Sequence, residues 1–163
     1  MAADSAAMAS RRLTVNAALH RVYKHELDRA IYQAATFGGL SHRQISDIVG
    51  VYPVRTVQRI LRRFADDPAQ VEQCPAEIID RRAAGLIDGD EMMDQLLNRE
   101  YSFGGAASVG GVATDGYAPG SWDDIENAFY RGLLDDAEFR QLALRHPNER
   151  ASGPAGPRHE PSV

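Results

Sequence analysis

Five arginines are concentrated between residues 41 and 64, in the stretch SHRQISDIVGVYPVRTVQRILRRF, where Asp47 is the only acidic residue. Arginine can donate two hydrogen bonds to one guanine base, and glutamine can pair in the same way with adenine. Arg55, Gln58 and Arg59 bring these two side-chain types close together. The stretch therefore indicates a surface that contacts nucleic acid, and that chemistry needs rigid elements to aim the side chains.

A short helix is predicted at the start of this stretch. Ser41 and Gln44 have the spacing of a capping box, in which each side chain bonds to the backbone of the other residue at a helix start. Gly50 is expected to end the helix after two to three turns. Its inward residues are predicted to be Ile45, Ile48 and Val49.

A second helix is predicted over residues 54–64. Pro53 suits the first turn of that helix, because the N–H that proline lacks would have no partner there. The apolar side is formed by Val54, Val57, Ile60, Leu61 and Phe64. With that side buried, the outward residues are Arg55, Thr56, Gln58, Arg59 and Arg62.

The two helices and their turn resemble the helix-turn-helix of bacterial transcriptional regulators over residues 40–64, and over 14–64 with the preceding helix. The residues that carry the resemblance are Ser46, Gly50, Val51, Val57, Ile60 and Leu61. Val57 lies seven residues after Gly50 instead of the usual six, so the turn is one residue longer than in the family pattern. The resemblance implies a second helix that lies in the major groove of DNA.

Double-stranded DNA is therefore the expected partner of this region. The free N–H groups at the start of the first helix favour phosphate, and Ser41, His42 and Arg43 lie there. Tyr52 and Arg63 are expected to add contacts with the DNA backbone. The alternative is that the arginines form only a solvated helix face.

Charge divides the chain into two unlike halves. Residues 1–65 contain ten Lys or Arg against four Asp or Glu, residues 66–163 contain eight against nineteen, and the formal net charge is −5. This asymmetry suggests that only the first half faces nucleic acid.

Cys74 is the single cysteine, which excludes an internal disulfide and a cysteine-based zinc cluster. The chain shows neither a secretory signal nor an apolar run near the ~20 residues of a membrane span, so we expect a cytoplasmic protein without a membrane partner.

The residues before the predicted DNA-binding helices divide into two parts. Residues 1–12 are small and polar and are predicted to form a disordered arm, with Arg11 and Arg12 as a charged terminus or, alternatively, a minor-groove contact. Residues 13–65 are predicted to form the helix-turn-helix domain. Its first helix has apolar residues at steps of three to five, as one helix or as two that meet near Lys24, and ends at Gly38-Gly39.

A repeat occupies the acidic half. Residues 77–97 align without gaps on residues 124–144, offset by 47 positions, with Gly85 matched to Gly132. In each copy we predict a helix that ends at the glycine, two apolar corner residues, and an aspartate that caps a second helix. The predicted fold is all-α, with a helix-turn-helix domain followed by two short helical hairpins over residues 75–145. One hairpin cannot bury its own apolar face, so the two should pack on each other or on a partner.

Two segments of the second half have the composition of flexible chain. Residues 101–120 contain six glycines and are predicted to be a flexible linker between the hairpins. Residues 146–163 are rich in proline and polar residues and are predicted to be a disordered tail.

The acidic half is interpreted as a protein-binding region. Its expected contact residues are Leu86, Ile87, Trp122, Phe129, Leu133 and Leu134. The first hypothesis is an antitoxin whose acidic half binds a toxin while DNA binding regulates its own operon. The second is the dimerisation or effector region of an ordinary repressor, which implies a homodimer. The third is that the acidic hairpins fold back and mask the basic helix.

No residue pattern indicates catalysis. The segment GGAASVGG lacks the Lys-Ser/Thr of a phosphate loop, and DGDE lacks the ligand spacing of a calcium loop. The five histidines share no metal-ligand spacing. We therefore expect a transcriptional repressor or autoregulator that is not an enzyme and has neither a cofactor nor a metal site.

Overall fold

The computed structural model describes residues 2–102, 107–109, 112–114 and 120–147. The helices of these ranges are α1 (Ala2–Thr36), α2 (His42–Val49), α3 (Val54–Asp66), α4 (Pro75–Ala83), α5 (Gly89–Leu97), α6 (Trp122–Tyr130) and α7 (Asp136–Arg145), with a short 3₁₀ helix at Pro68–Val71. The all-α prediction is therefore confirmed for the main elements. None of these helices is long and apolar enough to cross a bilayer.

Two short strands form a small antiparallel ribbon that the sequence did not predict. They are β1 (Ala107–Val109) and β2 (Val112–Thr114), and Val109 pairs with Val112. The ribbon lies inside the segment 101–120, where we predicted a flexible linker. Tyr101, at the start of that segment, packs against Trp122, so this part of the linker prediction is wrong. Residues 103–106, 110–111 and 115–119 of the segment lie outside the described residues, as do residues 148–163 of the predicted tail.

Helix α1 corrects the prediction of a disordered arm. It runs without a break for 35 residues, so residues 2–12 are helical and no second helix begins near Lys24. The side chains from residue 4 to residue 14 are all exposed, so burial does not stabilise this part. Alanine has the highest intrinsic helix propensity, and five of the residues from 2 to 9 are alanine. The composition that suggested a mobile arm therefore also favours a helix.

Helices α1, α2 and α3 enclose one apolar core. Its buried residues are Ile31, Ile45, Val57, Ile60 and Phe64. Two residues predicted to face inward do not, because Ile48 is 73% exposed and Val54 is 36% exposed. Helix α2 has only eight residues and α1 leaves one of its sides uncovered, so Ile45 is its only buried residue.

A tight turn joins α2 to α3. Gly50 ends α2 with a φ of 74°, and Pro53 is the residue immediately before α3. The Ser46 hydroxyl donates a hydrogen bond of 2.7 Å to the carbonyl oxygen of Tyr52, which links the middle of α2 to the turn. The predicted capping box of Ser41 and Gln44 is confirmed at the other end of α2.

Replacing Gly50 by alanine is expected to lower the free energy of unfolding by about 1 kcal/mol, since an L-residue is strained at positive φ. An added Cβ would meet no atom within 4 Å, so backbone conformation alone sets this cost. Gly89→Ala is the matched control, because Gly89 is the first residue of α5 and its φ is not positive. Urea unfolding of both variants should show a loss for Gly50→Ala and none for Gly89→Ala. Equal losses would remove the backbone explanation.

The acidic half contains two helix pairs with matching local structure. Gly85 and Gly132 follow α4 and α6 with φ values of 76° and 70°. Asp88 accepts a 2.8 Å hydrogen bond from the N–H of Glu91 at the start of α5, and Asp135 accepts one of 2.8 Å from the N–H of Glu138 at the start of α7.

The two helix pairs pack on each other. Their shared core consists of Ile78, Ile79, Met92, Leu96, Trp122, Ile125, Ala128, Leu134 and Leu142. Arg82 on α4 lies 3.0 Å from the carboxylate of Glu138 on α7. A second polar contact joins the pairs, because Asp124 on α6 accepts a hydrogen bond from the N–H of Ala76 at the start of α4. Of the two alternatives for covering the apolar faces, mutual packing is the one observed.

Helix α1 also holds the acidic half through a row of three ion pairs with α4, which we call the ion-pair seam. The pairs are Arg21–Asp80 at 2.6 Å, Arg29–Glu77 at 2.5 Å and Arg81–Glu26 at 2.7 Å. Hydrogen bonds with Asp80 and Glu77 raise the pKa values of Arg21 and Arg29 above their ordinary value. Helix α1 therefore contacts both of the regions that were predicted as separate, residues 13–65 and residues 75–145.

Candidate nucleic-acid interface

Helix α3 presents a polar face opposite its buried side. Val57, Ile60 and Phe64 recur at steps of three and four and fix one side of α3 against α1 and α2. The other side exposes Arg55, Gln58, Arg59 and Arg62. We call these four residues the outward face of α3. They are four of the five residues that the sequence predicted to point outward.

The arginines of the outward face have no ion-pair partner within the described part of the chain. Arg21 and Arg29 on α1 differ, because each is bound by a carboxylate of α4. The basic half therefore contains two kinds of arginine. Those of the seam, and Arg63 of α3, are each bound by a carboxylate, whereas those of the outward face are unpaired within the described ranges and can donate to an external partner.

Beside the outward face, a cleft of about 420 Å³ separates α1 from α3. It is lined by Lys24, Asp28, Tyr52, Thr56, Arg59, Ile60 and Arg63. Asp28 is only 1% exposed. Its Oδ2 accepts hydrogen bonds from the Lys24 ammonium at 3.2 Å and the Arg63 guanidinium at 2.9 Å. Three cations around one carboxylate leave the cleft positive, which suits an anionic group at its mouth.

Arg63 has an internal partner that the sequence did not predict. It binds Asp28, as Lys24 does, and lies 4.8 Å over the ring of Phe64, while 40% of its side chain stays exposed. Its contact with the DNA backbone stays a prediction. Sequence reasoning missed Lys24, which reaches the cleft from α1. Its spacing of four residues from Asp28 was visible, but the approach of α1 to α3 was not.

The start of α2 provides a second, smaller basic surface. His42 and Arg43 are exposed on its first turn. Ser41 was predicted to contact phosphate, and the structure gives its side chain a local role, since it accepts from the N–H of Gln44 and donates to the Gln44 side-chain oxygen. Tyr52 and Thr56 are half-buried at the cleft rather than on the outward face.

The residues predicted to bind a protein partner are mostly internal. Trp122 and Leu134 belong to the buried core of the helix pairs. Ile87, Phe129 and Leu133 are partly buried against that core. Leu86 is the exception and is 43% exposed. The prediction treated each hairpin as lacking a cover, and the second hairpin supplies that cover.

The masking hypothesis is also not what the described residues show. Helix α3 packs on α1, α2 and the 3₁₀ helix, whereas α4 packs on α1. The outward face of α3 is exposed beside them.

The described ranges contain no group of three or more His, Cys, Asp or Glu side chains that could hold a metal ion. Comparisons with family models, with curated proteins and with solved structures found no match to this chain.

Proposed function

We propose that this protein is a sequence-specific regulator that binds double-stranded DNA through α3. The observation that carries the proposal is the outward face of α3, where three arginines and one glutamine are exposed and the arginines form no ion pair with the other described residues. Leaving three like charges together on one helix is unfavourable unless an anionic partner neutralises them. DNA supplies both the negative charge and the base edges that these side chains recognise.

In this proposal each element has a separate task. Arg55, Gln58, Arg59 and Arg62 enter the major groove, where arginine and glutamine read base edges. Lys24 and Arg43 flank α3 and contact phosphates, which fixes the register without reading sequence. Helix α4 of the helix pairs holds α1 in position through the ion-pair seam. Repression and autoregulation follow if the bound site overlaps a promoter.

The antitoxin alternative has less support from the residues that we expected to contact a toxin. Trp122 and Leu134 are only 5% and 3% exposed in the chain's own core. A toxin partner stays a hypothesis.

The direct test is selection of bound duplexes from a pool of random sequence by the full chain. The proposal predicts enrichment of one motif over successive rounds. Recovery of duplexes with no common motif would leave only non-specific binding, and a chain that retains no duplex even at low salt would contradict the proposal.

Gln58→Ala and Arg59→Ala should each weaken binding to the enriched site by about 1–3 kcal/mol, because each removes hydrogen bonds to a base. Binding to random duplex should change less. Arg140→Ala is the matched control, since Arg140 is exposed on α7, and it should have no effect on either duplex. A mobility-shift titration with both duplexes makes the comparison. Equal losses on the two duplexes would assign Gln58 and Arg59 to phosphate contacts.

A further inference from the structure

An uncovered apolar face lies between α1 and α2, on a different side of the core from the ion-pair seam. On α1 it follows steps of four and three residues, which is the spacing of one helix face. Its members are Tyr23, Leu27, Ala30, Ala34 and Phe37 along α1 and its end, with Leu40, Ile48 and Val49 beside them. We call this set the α1–α2 apolar face. It contains no charged residue.

The face combines a groove with protruding side chains. The groove has a volume of about 180 Å³ and is lined only by apolar residues, among them Leu27, Ala34 and Ile48. Ala30 and Ala34 lie one turn apart in its lining, and their small side chains leave the groove open. Phe37, three residues after Ala34, is 81% exposed, and Ile48, which lines the groove from α2, is 73% exposed. Such exposure is costly for side chains of this size unless something covers them.

We propose that a second copy of this chain covers the α1–α2 apolar face in a two-fold symmetric dimer. A two-fold interface uses the same patch on both copies, so the patch must carry both a protrusion and a matching hollow. The α1–α2 apolar face meets this requirement, because the exposed Phe37 stands in the chain between Ala34 and Leu40, which both line the hollow, and the hollow can receive an aromatic ring. The uncharged lining of the groove also suits a second copy, since two-fold pairing brings like charges of a patch close together.

The size of the face is sufficient for a dimer. An aromatic side chain buries about 150–250 Å², so Tyr23, Phe37 and Ile48 with the groove walls offer on the order of 500 Å². Two copies would bury about 1,000 Å² together, which is the lower limit for a specific protein interface. The dimer is therefore expected to be reversible, with dissociation visible on dilution.

This inference does not depend on DNA binding, because none of the residues of the face belongs to the outward face of α3. If both proposals hold, the two copies of α3 are related by the same two-fold axis. The enriched DNA site should then be an inverted repeat.

Sedimentation velocity of the full chain over a dilution series tests the proposal. The unmodified protein should change from dimer to monomer on dilution. Ile48→Asp and Phe37→Asp should each raise the dissociation constant by about tenfold or more, because they place a charge in an apolar contact. Leu144→Asp is the matched control, since Leu144 is 77% exposed on α7, and it should dimerise like the unmodified chain. Circular dichroism checks that each variant is folded.

A second measurement applies even if the aspartate variants fail to fold. In a Cys74→Ser background, Ala30→Cys should form a disulfide-linked dimer under mild oxidation, whereas Leu144→Cys should not. A chain that stays monomeric at every concentration, or cross-links equally from both positions, would overturn the proposal. Dimerisation that Leu144→Asp abolishes and Ile48→Asp preserves would place the interface on the helix pairs instead. A monomer that holds a different protein on this face would replace the second copy with a foreign partner.

Discussion

Glu77→Gln is expected to lower the free energy of unfolding by about 3–5 kcal/mol, the usual cost of removing one partner of a buried ion pair. Glu77 is 1% exposed, and both of its carboxylate oxygens accept from the Arg29 guanidinium. The side chain of Arg29 is itself only 15% exposed. Without the carboxylate, this charge would be held away from water with a neutral partner. Urea unfolding of the two proteins measures the difference.

Asp80→Asn provides the matched control within the same seam. The side chain of its partner, Arg21, is 38% exposed, so water can solvate the released charge and the expected loss is about 1 kcal/mol or less. The double variant Arg29→Met/Glu77→Met should regain most of the stability that Glu77→Gln loses, because it leaves no buried charge behind. Equal losses for Glu77→Gln and Asp80→Asn, or a double variant no better than the single one, would contradict this account of the seam.

The same variant tests whether the chain unfolds as one unit. Trp122 is the only tryptophan and lies in the core of the helix pairs, so its fluorescence reports on the acidic half. Far-UV circular dichroism reports on all helices, and α1 is the longest of those described. Because α1 belongs to both halves, Glu77→Gln should shift both signals by the same amount of urea. Two unfolding transitions at different urea concentrations would show that the two halves unfold independently.

Local structure could be predicted from the sequence wherever a few neighbouring residues determine it. The capping box at Ser41 depends on residues three positions apart, and the ends of α4 and α6 depend on one glycine each. The outward face of α3 followed from apolar periodicity alone. In each case the physical cause lies within one or two turns of chain.

Contacts between distant residues could not be predicted in this way. Arg29 and Glu77 are 48 residues apart, and nothing in the sequence singles out this pair among so many arginines and acids. The pairing of Arg63 with Asp28 could not be predicted because the two residues are 35 positions apart. The error at residues 1–12 had a different cause, since alanine-rich chain is compatible with both a helix and a mobile arm. Tertiary packing determines the ion pairs, and helix propensity determines the conformation of residues 2–12.

Replacing Arg55, Arg59 and Arg62 together by alanine is expected to weaken binding to the enriched duplex on the order of 100-fold or more. Each arginine that bonds a base is worth about 1–3 kcal/mol. These three form no ion pair with the described part of the chain, so their loss is not expected to unfold it. The control removes the same charge elsewhere, as Arg131→Ala/Arg140→Ala/Arg145→Ala, three exposed arginines of the acidic half.

The measurement that tests the central claim most directly is a fluorescence-anisotropy titration of the unmodified chain and both triple variants over a range of salt concentrations. With four to six phosphate contacts, the logarithm of the binding constant of the unmodified chain should fall with the logarithm of salt concentration at a slope of roughly −4 to −5. The α3 triple variant should bind far more weakly with nearly the same slope, because the contacts it loses are with bases rather than phosphates, and the control triple variant should match the unmodified chain. If the two triple variants lose affinity equally, or if the α3 variant binds as well as the unmodified chain, DNA is not bound by the outward face of α3.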